Sequence, residues 1–168
     1  EKSVKGLFMT ADVQKYHIWW VTRWWMSSGE RCETGLESWG NAANFTDLSG
    51  IVETAKPNAI GIDIGGWGKS RTTGEIHPRF GEVVDFCADT GAIALKGSDS
   101  MKGDLHFYDN MDPTEGRKSN SRHGAKYSRL EWNTDIMRGK LLSAMRGETP
   151  FAWHVYRMPE RDYVRQVM

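Results

Sequence analysis

Along the first part of the chain, apolar and polar residues alternate with period two; further on, the spacing becomes helical. Leu7 to Val13 predicts a strand. After a tight turn, Tyr16 to Met26 places Ile18, Trp20, Thr22 and Trp24 on one face and His17, Trp19, Val21 and Trp25 on the other. β-Branched and aromatic enrichment of this kind marks a strand. Ser27 to Glu30 reads as a hairpin turn, and Arg31 to Ser38 as a third strand of an antiparallel meander. Trp-Trp steps point to opposite faces of a strand, so the expectation is that both faces of this sheet are covered and the tryptophans fill the core. A stacking platform for single-stranded nucleic acid is the other reading of these residues.

Thr46 is expected to cap a helix running to about Lys56, with Leu48, Ile51, Val52 and Ala55 in one stripe. Pro57-Asn58 ends it, and Ala59 to Ile64 follows as a short buried strand; a strand after a helix suggests parallel pairing. Gly65 to Pro78 is a polar loop containing Lys69, Arg71 and His77. Arg79 to Thr90 carries Phe80, Val83, Val84, Phe86 and Cys87 at helical spacing, and Gly91 closes that helix. Ala92 to Leu95 is another buried strand, running into Lys96-Gly97-Ser98. Beyond it lies an irregular stretch with a hairpin over Leu105 to Asp109 and Ala125 to Trp132. Asn133-Thr134 should cap a helix of Asp135 to Met145, with Ile136, Leu141 and Met145 turned inward. Phe151 to Tyr156 is apolar and extended, and Pro159 opens a last helix.

The order is therefore β-β-β-α-β-α-β, that of a ribonuclease H-like α/β fold: a mixed five-stranded sheet, three antiparallel strands then parallel ones, flanked by helices and carrying an inserted hairpin. A length of 168 residues fits one domain spanning residues 1–168. Lys and Arg balance Asp and Glu to a formal charge of zero, so no global polycation argues for nucleic-acid binding. Arg117 to Lys126 is nonetheless locally basic. The two cysteines, Cys32 and Cys87, are far apart and in no metal-type spacing; Cys87 reads as a small buried hydrophobe, and a reducing, intracellular setting is expected. No long apolar run suggests a membrane. The chain begins at Glu1 rather than Met and ends within a helical pattern, as an excised piece of a longer protein would.

Two apolar strands each end in an acid: Leu7 to Ala11 runs into Asp12, and Ala59 to Ile62 into Asp63, which glycines follow. In the ribonuclease H-like order these strands are neighbours, and the two carboxylates come within a few ångströms of each other. Acids that close repel unless a cation lies between them. Mg²⁺ or Mn²⁺, hard ions that prefer oxygen, suits such a pair, and two such ions support phosphodiester cleavage. The bland alternative is that both acids are turn and cap residues. Asp63-Ile-Gly-Gly-Trp-Gly-Lys69-Ser70 imitates a P-loop, but Asp63 stands at its first glycine position and no helix follows directly. A sugar-kinase or actin-like ATPase also uses an acid at a strand end before glycines, on the first strand rather than the fourth. The five histidines are scattered without zinc spacing, and no G-x-S-x-G elbow is present.

Met9-Thr-Ala-Asp12-Val-Gln14, Ile62-Asp63-Ile-Gly-Gly66 and Val84-Asp-Phe-Cys87 leading to Ala94-Leu-Lys96-Gly97 resemble the nuclease domain of tailed-bacteriophage terminase large subunits, most of all the lambda-type branch. Asn133-Thr-Asp135 to Leu142 and Asp162-Tyr163-Val-x-Gln166 resemble it too, with Lys140 placed somewhat late. The resemblance implies a metal-dependent endonuclease that cuts double-stranded viral DNA concatemers during genome packaging in the host cytoplasm. It also implies an N-terminal ATPase motor in the intact protein, with a terminase small subunit and the portal as partners. Asp12 and Asp63 match the first two metal-binding acids, and Lys96 a lysine that contacts a phosphate. The third acid of the family lies on a late helix near the C-terminus. Asp135 is the candidate for it within these residues, with a helix-cap role as the alternative. Arg117, Lys118, Arg122, Lys126 and Arg129 would form a DNA-contacting hairpin, or else a solvated loop. Other readings are a junction resolvase, an actin-like ATPase, or a docking module that has kept the fold without active metal binding.

Overall fold

In the computed structural model, which describes residues 3–28, 31–64, 79–111 and 126–154, the meander is built from β1 (Ser3–Val13), β2 (Ile18–Ser28) and β3 (Arg31–Ala42). A turn closed by the Gln14 N–H donating to the His17 carbonyl starts β2 at Ile18 rather than Tyr16. The third strand runs on to Ala42, because Ile18 pairs with Ala42 and the ladder continues through Trp39 and Gly40. Helix α1 (Phe45–Ala55) follows. Its N-cap is Asn44, not Thr46: the Asn44 Oδ1 accepts from the Asp47 N–H at 2.9 Å, and the Asp47 carboxylate accepts in return from the Ala43 N–H at 3.3 Å.

Next come β4 (Ala59–Asp63), α2 (Phe80–Thr90) and β5 (Ile93–Ser98). Gly91 takes φ +71°, the left-handed conformation a helix end favours, and its N–H donates to the Cys87 carbonyl at 2.9 Å. The remainder is β6 (Leu105–Met111), β7 (Tyr127–Asn133), α3 (Thr134–Met145) and β8 (Phe151–His154).

All of the strands join one mixed sheet in the order β6-β7-β5-β4-β1-β2-β3-β8. The expected central order is present, since β4 pairs in parallel with β1 on one side and with β5 on the other. Among the described residues the sheet has eight strands, not five. The inserted hairpin is no appendage, because β7 pairs in parallel with β5 from Ile93↔Ser128 to Ser98↔Asn133. At the far edge β8 pairs in parallel with β3. Among the described strands only β2 and β6 run against the rest.

The core lies on one face of this sheet. Met9, Ala11 and Val13 of β1, Ile60, Ile62 and Ile64 around β4, and Ala92 and Ala94 at β5 are buried with Leu48 of α1 and Val83, Val84, Phe86 and Cys87 of α2. Full burial of each Met, Val, Ile, Leu or Phe side chain among them stabilises the fold by roughly 1.5–3 kcal/mol, and of each alanine by less. The chain moves across the sheet in one direction through α1 and α2 and returns in the other direction through α3, from β7 to β8. Right-handed connections therefore place α3 over the opposite face. Ile136, Leu141 and Met145, expected to turn inward, are 37–51% exposed, and of α3 only Ala144 is buried.

Candidate acidic site

Asp12 and Asp63 owe their positions to the apolar residues around them. Met9, Ala11 and Val13 are drawn to the helix-covered face, so the pleat sends Thr10 and Asp12 to the other. In β4 the same alternation buries Ile60, Ile62 and Ile64 and turns Gly61 and Asp63 to that other face. Ala11 pairs with Ile62, and one residue further along these parallel strands brings Asp12 alongside Asp63. Neighbouring strands stand about 4.8 Å apart and in-register residues share a face, so the register sets the two acids on adjacent strands on one face. Asp12 is exposed and Asp63 half-buried. The Gln14 Nε2 donates to the Asp12 Oδ2 at 2.6 Å, which restrains that carboxylate.

Around the pair, Asp12 is cross-strand partner to Trp19, and Asp63 to Leu95. Leu95 folds over Gly61: a Cβ at that position would stand 2.6 Å from the Leu95 Cδ1, so glycine is what admits the leucine beside the acids. Trp19 stacks on Trp39 with centroids 5.7 Å apart, and His17 meets Trp19 edge-on at 5.4 Å. These aromatics correct the expectation that the tryptophans fill the core. Trp20 packs against the core cluster, whereas Trp19 and Trp39 share the face of the acids and stand half-buried outside that cluster.

No protein family, curated protein or solved structure matches the chain. The reading of the site therefore rests on its own geometry.

The other candidates separate from the acid pair. Asp135 stands in the first turn of α3 with its side chain 78% exposed, and it pairs with Arg138 at 3.4 Å. The cap itself is Asn133, whose Oδ1 accepts from the Ile136 N–H at 3.0 Å. A negative charge in that first turn is favourable to the helix dipole, so the helix-end role accounts for Asp135. It lies beyond the end of β7, two strands across from β4. Among the described residues no three His, Cys, Asp or Glu side chains group closely enough to hold a metal ion.

Lys96 is not brought to the acids. It lies two residues past buried Ala94 and thus on the helix-covered face, opposite Asp12 and Asp63. Its Nζ stands 3.0 Å from the Glu131 Oε1, and the Arg129 Nη2 stands 3.2 Å from the Glu131 Oε2. Arg129 also lies over the Tyr108 ring at 4.8 Å. Arg129 is therefore part of the sheet's own ion network rather than a free phosphate contact. Burial pushes the Glu131 carboxyl up, but the Lys96 hydrogen bond and the Arg129 charge outweigh it and hold the group below the usual glutamate range. Lys126 is exposed just before β7. Arg117, Lys118 and Arg122 lie outside the described residues, as do the Gly65–Pro78 loop and the last expected helix.

Cys87 behaves as the sequence suggested. Burial pushes its thiol up to about 12, so it stays protonated near neutral pH and supplies no nucleophile. No helix among the described residues is long and apolar enough to cross a membrane. Gln14, two residues beyond Asp12 and hydrogen-bonded to it, is the neighbour of the acid pair that strand alternation alone does not single out.

What the pair can do chemically follows from its donors. Two carboxylates on adjacent strands, one of them open to solvent, fit a hard divalent cation, and Mg²⁺ commonly takes one or two carboxylates and fills its shell with water and phosphate oxygens. Two protein carboxylates suffice for one such ion. A second ion needs a further ligand, and Asp135 is not placed to provide it.

Proposed function

We propose that this chain is a ribonuclease H-like nuclease domain of the terminase large-subunit type, a metal-dependent endonuclease acting on double-stranded DNA during viral genome packaging. The observation that carries the reading is the parallel register of β1 and β4, which sets Asp12 beside Asp63 at matching strand ends. The central strand order β3-β2-β1-β4-β5, with β2 alone reversed within it, supports the same fold type. Asp12 and Asp63 hold Mg²⁺ or Mn²⁺, and Gln14 orients the Asp12 carboxylate. When bound, the cation supplies the Lewis acidity that phosphodiester hydrolysis requires. The chain's own residues fix the position of the cut by holding the acids at the matching ends of β1 and β4. A small subunit, the portal and an ATPase motor are the partners this reading implies, in the host cytoplasm.

A second reading, a docking module with weak catalysis, draws on the isolated position of Asp135, which leaves the pair without a third acid among the described residues. Cleavage of supercoiled plasmid in the presence of Mn²⁺ separates the two. The nuclease reading expects nicking and linearisation that drop at least a hundredfold in Asp12→Asn and in Asp63→Asn. Cleavage that survives both substitutions would overturn it, and a wild-type chain that binds Mn²⁺ without cutting would favour the docking module.

A further inference from the structure

We infer that the cleft between helix α1 and the β2–β3 hairpin binds an arginine side chain carried on a peptide segment of a partner protein. Trp20 and Thr22, which line the cleft, alternate with buried Ile18 and so lie on the helix-covered face, opposite the acid pair. The inference therefore goes beyond the nuclease reading and does not draw on it.

The cleft has a volume of about 680 Å³, within the range of ligand sites. Leu7, Trp20, Ile51 and Ala55 give it apolar walls, and Glu37 and Asp47 bring two carboxylates to it. Among the described residues no lysine or arginine lines it. Two local irregularities shape it. In β3 the ladder shifts between Thr22↔Ser38 and Arg23↔Leu36, so Glu37 is an extra residue opposite β2, a β-bulge. In a regular strand Glu37 and Ser38 would face opposite ways; here both line the cleft. Buried Thr22 holds the bulge, its Oγ1 accepting from the Ser38 N–H at 3.1 Å and standing 2.6 Å from the Ser38 Oγ. The second irregularity is Gly50, in the middle of α1 and on the cleft. A helix-interior glycine costs stability relative to alanine, and no close packing demands it here, because a Cβ at Gly50 would meet no atom within 4 Å. The glycine leaves that side of the cleft open.

Charge and shape together select the occupant. Asp47 is partly engaged, since its carboxylate accepts from the Ala43 N–H at 3.3 Å. Glu37 is exposed and, among the described residues, has no hydrogen-bond or ion-pair partner. Two carboxylates with no cation of their own beside them favour a positive ligand. Of the cationic side chains, arginine has a flat, weakly hydrated head that stacks on an indole and binds a carboxylate through two N–H groups at once. Its stem packs against apolar surface, which Ile51 and Ala55 supply. Trp20 supplies the indole. Its cross-strand partner is Gly40, where a Cβ would stand 3.0 Å from the Trp20 Cζ2, so glycine gives the ring its room. The cleft is larger than one side chain fills, which is why the arginine is one carried on a peptide rather than the free amino acid.

The test is a chemical-shift titration of the nitrogen-15-labelled chain at low salt with the blocked pentapeptide Ala-Gly-Arg-Gly-Ala. Its counterparts carry lysine or citrulline, the uncharged isostere, in place of the arginine. Saturable binding of the arginine peptide is expected, with the citrulline peptide at least tenfold weaker and the lysine peptide in between. Glu37→Gln should weaken the arginine peptide about threefold to tenfold. Gly50→Leu should fill the cleft and weaken it at least tenfold. The same variant should melt about 2–4 °C higher, because leucine is the better helix former, so its loss of binding is not a loss of folding. Glu53→Gln, an exposed acid of α1 away from the cleft, should change affinity less than twofold. Absence of saturable binding would overturn the inference, as would equal affinity for the citrulline peptide, or undiminished binding in Gly50→Leu. Equal losses in Glu53→Gln and Glu37→Gln would reduce the effect to diffuse surface charge and overturn it too. Free arginine that binds as tightly as the peptide would overturn the peptide as occupant.

Discussion

Asp12→Asn removes one of two like charges and keeps the hydrogen bond from Gln14, because an amide oxygen accepts as the carboxylate does. At one strand spacing, about 4.8 Å, two unit charges repel by roughly 0.9 kcal/mol in water and roughly 3.5 kcal/mol at the effective permittivity of a protein surface. Asp12 is exposed, so solvent screening brings the figure near the lower end, about 1 kcal/mol. For a chain of this length that corresponds to a melting temperature about 2–4 °C higher. In EDTA the variant should therefore be the more stable protein. Mn²⁺ should reverse the order. A ligand that binds only the folded state stabilises it by about 2.7 kcal/mol at a hundredfold excess over its Kd, or roughly 5–11 °C on the same scale. The wild type should show that gain and Asp12→Asn should lose most of it. Thermal melts followed by circular dichroism, with EDTA and then across a Mn²⁺ titration, measure both quantities. A variant that melts at or below the wild type in EDTA, with a wild type that is indifferent to Mn²⁺, would refute the idea that these carboxylates share one cation site.

Two further predictions concern the sheet that carries the pair. Glu131→Gln leaves Lys96 and Arg129 without their shared counter-charge. Breaking a buried pair costs about 3–5 kcal/mol, and because the Lys96 side chain is a third exposed the expected loss is about 1–3 kcal/mol at pH 7, read from urea midpoints. The folded state holds the Glu131 carboxyl below its ordinary value of 4.5, so its contribution is complete above that value and disappears as pH falls through the lowered one. The wild type should thus lose its advantage over Glu131→Gln as pH drops below about 4.5, and a constant difference down to pH 2.5 would count against the network. Gly61→Ala should cost about 1–3 kcal/mol through overpacking against Leu95. Leu95→Ala in the same molecule should recover much of that loss, and strictly additive costs in the double-mutant cycle would show that the two side chains do not compete for one space.

The parts legible in the sequence are those set by local alternation. The β4 run, the α2 stripe with Gly91 at its end, and the Asn133 cap of α3 all follow from residues within a few positions of each other. The α1 cap did not, because Asn44 and Thr46 are both good caps, and only the extended backbone at Asn44 decides between them. In α3 the apolar residues are spaced like a buried stripe, yet they meet too little of the sheet to be covered. Pairing between β5 and β7 leaves no local trace, so neither the width of the sheet nor the Lys96–Glu131 ion pair follows from the sequence. The face of Lys96 was within reach of pattern reading. With β5 running on to Ser98, period two from buried Ala94 assigns Lys96 to the helix-covered side.

The acid pair depends on register more than on either acid alone. If β1 slipped by one residue against β4, Asp12 would turn to the helix-covered face and Ala11 would take its place beside Asp63. Met9, Ala11 and Val13 would then leave the core together, and Thr10 and Asp12 would enter it. The exchange would expose three apolar side chains and bury a carboxylate, a cost of several kcal/mol. The same alternation that builds the core therefore keeps Asp12 next to Asp63, so a substitution that loosens the core, such as Ile62→Ala, should weaken Mn²⁺ binding without touching either ligand.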